Sequence, residues 1–360
     1  MNTRKFLQIL VILMVGFILA ACRDDAEPAT TDENNEEETT EENTENADEE
    51  ANSDASDSDG YTIGISLPAA GHGWMGAMVE NTEAAAEELA EENIDYRLVT
   101  SSNPAAQASD IDDLITQGVD AIVMLPIESA ALTPAAEAVA EAGIPLINVD
   151  RGLETESYRT YIGGDNYGIG RVDAQYLVEG LIEKNGEPAG KVVEISGVPS
   201  TVTDLRSQGF RDYIEDYPEI EIIASQPGDF TAEAALAATE NILLANDEID
   251  AVFSQDDDMT VGIVQAIRDA QREEEMFIVS SGGMKEIYHM MLEGTMPEVK
   301  VSVTYSPRQG AIGVNLAAKI LKGESPEGFE GELVPHDIVL DATPVTPENV
   351  EDYYDEDANY

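Results

Sequence analysis

From Tyr61 onward the chain alternates two kinds of apolar pattern. Short runs of apolar and β-branched residues predict strands over 61–67, 96–100, 121–125 and 144–149, and a near-alternating stretch predicts a fifth over 158–162. Between them, apolar residues and Ala at helical spacing predict helices over 75–93, 105–117 and 132–142. Asn103-Pro104 marks the start of the second helix, and Gly118 and Gly143 stop the second and third. The alternation then begins again. Helices are predicted over 165–183, 206–216, 232–244, 259–270, 285–293 and 310–321, and strands over 191–195, 220–225, 251–253, 277–280 and 299–304. Strand–helix units at this spacing form parallel sheets with helices on both faces. Two successive runs without an interrupting linker predict an α/β fold of two doubly wound parallel-sheet lobes, their strand carboxyl ends facing across a cleft.

Before residue 61 the pattern is different. Residues 1–21 carry Arg4 and Lys5, then an apolar run ending Leu19-Ala20-Ala21-Cys22. That is the form of a secretory signal peptide, too short and wrongly flanked for a permanent span. Small residues before Cys22, the only cysteine, resemble the bacterial lipobox, in which the chain is cut before the Cys and the thiol takes a lipid. The alternative is an ordinary cleavage site beside a chance cysteine. Residues 23–60 hold 17 acids against one base and almost nothing apolar larger than Ala. Such a stretch buries too little to offset its ordering entropy and extends by self-repulsion. It is expected to be a disordered tether from a lipid anchor at Cys22, with the folded part on the outer face of the cell membrane.

Charge narrows the function further. Of the chain's net −56, the part from residue 61 carries −42 once the +2 leader and −16 tether are set aside. Nucleic acid is excluded as a partner, since its phosphates need Lys and Arg. His72, His289 and His336 lie far apart without metal-ligand spacing, and Asp256-Asp257-Asp258 lacks a calcium-loop pattern, so no metal and no cofactor are expected. Gly163-Gly164-Asp165-Asn166 is neither a dinucleotide fingerprint nor a phosphate loop, and reads as a glycine-permitted hinge entering a helix.

Candidate chemistry gathers where the predicted strand over 144–149 ends, at Asp150-Arg151. In open parallel sheets ligands sit outside the carboxyl ends of the strands. An acceptor-only carboxylate beside a five-donor guanidinium suits a neutral polyhydroxylated ligand, whose hydroxyls both donate and accept. A structural ion pair capping the strand would look the same.

From residue 61 to about 354 the chain resembles the ribose-binding family of type I periplasmic binding proteins, which feed ABC transporters. The resemblance rests on Gly118-Val-Asp-Ala-Ile-Val-Met-Leu-Pro, Gly143-Ile-Pro-Leu-Ile-Asn-Val-Asp-Arg, Gly163-Gly-Asp-Asn, Arg206-Ser-Gln-Gly-Phe210, Ser225-Gln-Pro-Gly-Asp-Phe230 and Gln255-Asp-Asp-Asp-Met259. It implies two lobes joined by a three-crossover hinge and closing on a sugar. The expected division is 61–163 plus about 306–336 for the first lobe, and 164–305 plus about 337–360 for the second.

The resemblance also implies a site. Trp74 and Met75 match the family's first-loop aromatic pair, with His72 where an Asn is common; Asp150 and Arg151 match its Asp-Arg pair. Arg206, Phe230 and Asp256 take the second-lobe positions, and Tyr305 stands where a late Gln is expected. Asp256 is then expected to face the cleft and Asp258 to cap the following helix. Trp74 could equally be core, and Arg206 could simply pair with Asp204. Leu125 and Gly282 replace an expected Asn and Asp. Losing an Asn, an Asp and a Gln while gaining an Asp and a Tyr points away from ribose. The expected role is a monomeric solute-binding lipoprotein that takes a sugar or polyol to an ABC permease. The alternatives are a sensory receptor coupled to a membrane kinase or chemoreceptor, and a secreted hydrolase. No acid–base pair marks an enzyme.

Overall fold

The computed structural model describes residues 60–325 and 334–360. The expected leader, the lipidation candidate Cys22 and all of the acidic tether except Gly60 lie outside the described residues. Among the described residues no helix is long and apolar enough to cross a membrane.

Two six-stranded sheets organise residues 60–360. The first contains β1 (Tyr61–Pro68), β2 (Ile94–Ser101), β3 (Ala121–Met124), β4 (Leu146–Val149), β5 (Thr160–Gly164) and β11 (Asp337–Leu340), in the order β11-β5-β4-β3-β1-β2. The second contains β6 (Gly190–Ser196), β7 (Ile220–Pro227), β8 (Ala251–Ser254), β9 (Phe277–Gly282), β10 (Val299–Thr304) and β12 (Pro344–Val345), in the order β12-β10-β9-β8-β6-β7. The chain passes between sheets three times: after β5, back after β10, and again after β11. All pairings are parallel except β10 with β12. No crossover helix precedes β12; it enters beside Thr304, at the hinge end of β10, and runs back along it.

The apolar strand runs are continuous because both faces are buried. In β3, Ala121 and Val123 join one core cluster, and Ile122 and Met124 another. In β8, Ala251 and Phe253 face one way and Val252 the other. Helices α1 (Gly73–Glu88) and α9 (Gln309–Lys322) cover one face of the first sheet, and α2 (Pro104–Thr116) and α3 (Ser129–Glu141) the other. In the second lobe α4 (Asn166–Asn185) and α5 (Thr201–Ile214) lie opposite α6 (Ala232–Ala245) and α7 (Asp257–Asp269), with α8 (Lys285–Glu293) following β9.

Three expectations need correction. The division at residue 336/337 is misplaced: Asp337–Leu340 pairs in register with Tyr161–Gly164 and belongs to the first sheet. Helix α5 starts at Thr201 and not at Arg206, because the Ser200 side chain accepts from the Thr203 N–H and caps it there. Finally, the expected hinge does stand at the crossover after β5, entering α4, but Gly163 and Gly164 sit in β5 without positive φ and so are not there for a glycine-only backbone conformation. They are glycines for clearance: a Cβ on Gly163 would overlap the Tyr161 phenol, and one on Gly164 the Tyr305 ring.

Candidate ligand site between the lobes

The carboxyl ends of both sheets meet around a narrow, partly open cavity, about 20 Å³ of free volume, lined by His72, Trp74, Asp150, Arg151, Val202, Arg206, Phe230, Asp256 and Tyr305. Eight of the nine residues expected from the sequence therefore converge. The exception is Met75, buried in the core and lining an adjoining space that shares His72, Arg151 and Phe230 with the cavity. Val202 was not foreseen, since an apolar residue in an α5 turn carries no chemical signal. A larger groove of about 470 Å³ runs past Tyr176, Met291 and Thr346, but it draws on the second lobe alone, and its lysine, Lys300, is paired with Glu183.

Asp150 follows β4 in a left-handed conformation, φ 65°, which a non-glycine residue holds only when its surroundings over-determine it. They do: its N–H donates to the Ile162 carbonyl at 2.7 Å, and its carbonyl accepts from the Tyr161 hydroxyl at 2.7 Å. The second bond needs the clearance left by Gly163. The carboxylate accepts a hydrogen bond from the Tyr305 hydroxyl and lies 3.7 Å from Arg151 Nε. Burial pushes its pKa up, further than Arg151, the Tyr305 bond and Arg206 bring it down.

Arg151 is tied down by the backbone. Its Nη1 donates to the Pro126 and Ile127 carbonyls, its own carbonyl accepts from Asn148, and its guanidinium stands 6.0 Å from the Phe230 ring centre. Its Nε has no hydrogen-bond partner among the described residues. Arg206, 1% exposed, is not paired with Asp204. Its Nε donates to Asn166 Oδ1 at 2.9 Å, its Nη1 to the Gln255 carbonyl and to Ser281 Oγ, and it lies 4.5 Å over the Tyr305 ring. Asn166 in turn donates to the Tyr305 hydroxyl at 3.2 Å, so one polar chain runs Arg206–Asn166–Tyr305–Asp150 from lobe to lobe. Asn166 stands in the glycine motif, but only tertiary contact reveals this role.

Trp74, 4% exposed, is both core and cavity wall. It stacks on Tyr305 with centroids 5.3 Å apart and donates its indole N–H to the Tyr305 carbonyl at 2.9 Å. Phe230 follows Asp229, both at positive φ, with its ring over Gly197, where a side chain would collide with it. A bulky residue held this way is strained.

Of the expected roles of the second-lobe acids one is overturned: Asp256 lines the cavity as expected, but it, and not Asp258, caps α7. Asp256 caps α7 by accepting from the Asp258 N–H at 3.0 Å while lining the cavity. Burial and the neighbouring Asp258 raise its pKa well above the ordinary carboxylate value. Asp258 instead reaches the other lobe, accepting from the Gly73 and Trp74 N–H groups at 2.9 and 3.1 Å. His72, Asp256 and Asp258 each bring a possible metal-ligand atom within 4.8 Å of the others. The Asp258 oxygens are already engaged, however, and the first turn of α1 points its positive end at this spot, which disfavours a cation.

The cavity thus offers two guanidiniums, two carboxyl groups, a histidine and three aromatic faces. These are donors, acceptors and stacking surfaces for a small neutral ring bearing hydroxyls.

Comparison with known proteins places these features. Residues 63–325 match the family model described as a periplasmic binding protein domain. The ribose import binding protein RbsB of Bacillus subtilis is 28% identical over 255 residues, 70% of this chain and 78% of the relative. The galactofuranose-binding protein YtfQ of Escherichia coli is 30% identical over 277 residues, 74% and 84% of the two chains. Among solved structures, a galactofuranose binding protein superposes with a TM-score of 0.74 at 26% identity, covering 83% of this chain and all of its own.

Proposed function

The chain belongs to the periplasmic binding protein domain family, and from that premise we propose that it captures a sugar or polyol between its lobes outside the cytoplasm and hands it to an ABC permease. The observation that carries this reading is the cavity between the sheets to which both lobes contribute an acid and an arginine: Asp150 and Arg151 from the first, Asp256 and Arg206 from the second. A ligand touching both lobes favours the closed state by the difference between its closed and open contacts.

A furanose is a better candidate than ribose in its pyranose form. Tyr305 stands where the family expects an amide, and relatives named for galactofuranose match most of this chain. Delivery without chemistry is part of the proposal, as is tethering through a lipid on Cys22 and action as a monomer. The purified protein is to be screened by thermal shift against D-galactose, L-arabinose, D-ribose, xylitol and myo-inositol. One ligand at about 100 times its Kd should stabilise the fold by about 2.7 kcal/mol, a rise of several degrees at this chain length. Mass spectrometry should recover that ligand unchanged. No shift with any of the five, or turnover that purification does not remove, would refute the reading.

A further inference from the structure

Helix α1 lacks a cap of its own. His72 occupies its N-cap position but makes no side-chain capping bond, and the first turn contains no acidic residue. The unpaired N–H groups of a helix start call for an acceptor, preferably a negative one. Here the acceptor comes from the opposite lobe: Asp258, on α7, takes the N–H groups of Gly73 and Trp74, with His72 Nδ1 at 3.3 Å. Burial opposes ionisation of Asp258, but the bonds from His72, Gly73 and Trp74 prevail and hold its pKa below the ordinary carboxylate value. Gly73 leaves the space this approach needs, because a Cβ there would stand 2.9 Å from Asp258 Oδ1.

A second element covers the same spot. The Tyr360 hydroxyl donates to Asp258 Oδ2 at 3.3 Å, and its ring packs beside Gly73. The preceding residues bridge the lobes. Lys285 of α8 donates to the Glu356 and Ala358 carbonyls, while Asn359 donates to Glu80 and accepts from Asn81, both on α1. Another lobe-to-lobe contact lies at Thr201, which accepts from the Gly152 N–H at 2.7 Å and donates its own N–H to Ser129 Oγ at 3.2 Å. Asp258, Tyr360 and Thr201 do not line the cavity, so none of these bonds uses a ligand atom.

We propose that Asp258 is a positioning residue of the ligand site: by capping α1 across the cleft it fixes His72 and Trp74 against the bound ring, and with Tyr360 and Thr201 it favours the closed lobes through bonds that need no ligand atom. The idea rests on the reading of the cleft as a sugar site. A closed fraction f maintained without ligand sets the apparent affinity, since the observed Kd is the intrinsic Kd divided by f. Loosening the latch lowers f and speeds release.

The test compares full-length wild type with Asp258→Asn and Tyr360→Phe. Hydrogen exchange at the Gly73 and Trp74 amides is measured without sugar, and release of D-galactose or L-arabinose is followed by the fluorescence of Trp74, the only tryptophan. Asp258→Asn should accelerate exchange at those two amides at least about threefold while β6 and β8 exchange as in wild type. It should speed sugar release roughly tenfold to a hundredfold, the range for a hydrogen bond to a charged group. Tyr360→Phe should move both readouts the same way by less. A merely structural role would speed exchange throughout the second lobe. Wild-type exchange at Gly73 and Trp74 in Asp258→Asn overturns the latch. If neither sugar perturbs the wild type, the sugar reading falls, while the ligand-free exchange still decides the latch. Should Asp258→Asn not fold, the single-hydroxyl Tyr360→Phe variant decides by the same measurement.

Discussion

Tyr305→Phe is the sharpest probe of the proposed pocket, because it deletes one hydroxyl and leaves the ring. The ring keeps its stack on Trp74 and its place under Arg206. What goes is the bond to the Asp150 carboxylate and the acceptor for Asn166, which retains the Gly164 carbonyl at 3.3 Å. A hydrogen bond to a charged group is worth about 1.5–3 kcal/mol, so affinity at neutral pH should fall roughly tenfold to a hundredfold. The pH dependence follows from the sign of the interaction. The Tyr305 bond lowers the Asp150 pKa against a larger upward push from burial, so removing it lets that pKa rise further. If the sugar is held by ionised Asp150, the deficit is then largest at the acid end of the range and narrows as pH rises. Isothermal titration from pH 5.5 to 8.5, with whichever screened sugar binds the wild type, measures both effects. Affinity within twofold of wild type across that range would show that Tyr305 does not tune Asp150, and the assignment of the pair to the ligand would fail.

Three further outcomes are expected. Asp173 on α4 is fully buried, neither of its oxygens has a hydrogen-bond partner among the described residues, and burial raises its pKa well above the ordinary value. Such a group stabilises the fold below its unfolded pKa and loses that contribution as pH rises through its folded pKa; Asp173→Asn should therefore gain melting temperature over wild type as pH rises from 4 to 8, and a difference that shrinks over that range would contradict this account. Gly164→Ala should lower stability by about 1–3 kcal/mol through overlap with the Tyr305 ring; unchanged thermal unfolding would return that glycine to a hinge role. Cys22→Ser should release the protein from membranes into the medium, and firm membrane attachment of that variant would remove the proposed anchor.

The fold was largely legible because it depends on local pattern. Most strands from β1 to β10 announced themselves as apolar runs bounded by turn residues, whereas near-alternating β5 was expected two residues early; helices α8 and α9 fell within a residue of their expected bounds. β11 and β12 were missed for a physical reason. β11 shows only two half-buried positions, Ile338 and Leu340, at a sheet edge, and β12 is two residues long. Their pairing is decided by what lies beside them, and that misplaced the lobe boundary.

The site was legible in its members and not in its wiring. Asp150, Arg151 and Arg206 can be named from motifs, yet Asp256 and Asp258 are two residues apart on one helix start and both look like caps. Only the opposite lobe separates them. Asp256 satisfies its own helix, whereas Asp258 satisfies α1, whose first turn is nearly two hundred residues earlier in the chain. The sequence around α1 contains half of this information, since a helix start with neither a capping side chain nor an early acid has an unmet requirement. Glycines carry the same kind of signal. Gly163 and Gly164 marked a special place, but the constraint was the clearance demanded by Tyr161 and Tyr305, partners contributed by β5 itself and by the crossover after β10. Local chemistry thus shows that a residue lacks a partner or needs space, and tertiary structure decides whether a ligand, the same lobe or the opposite lobe supplies it.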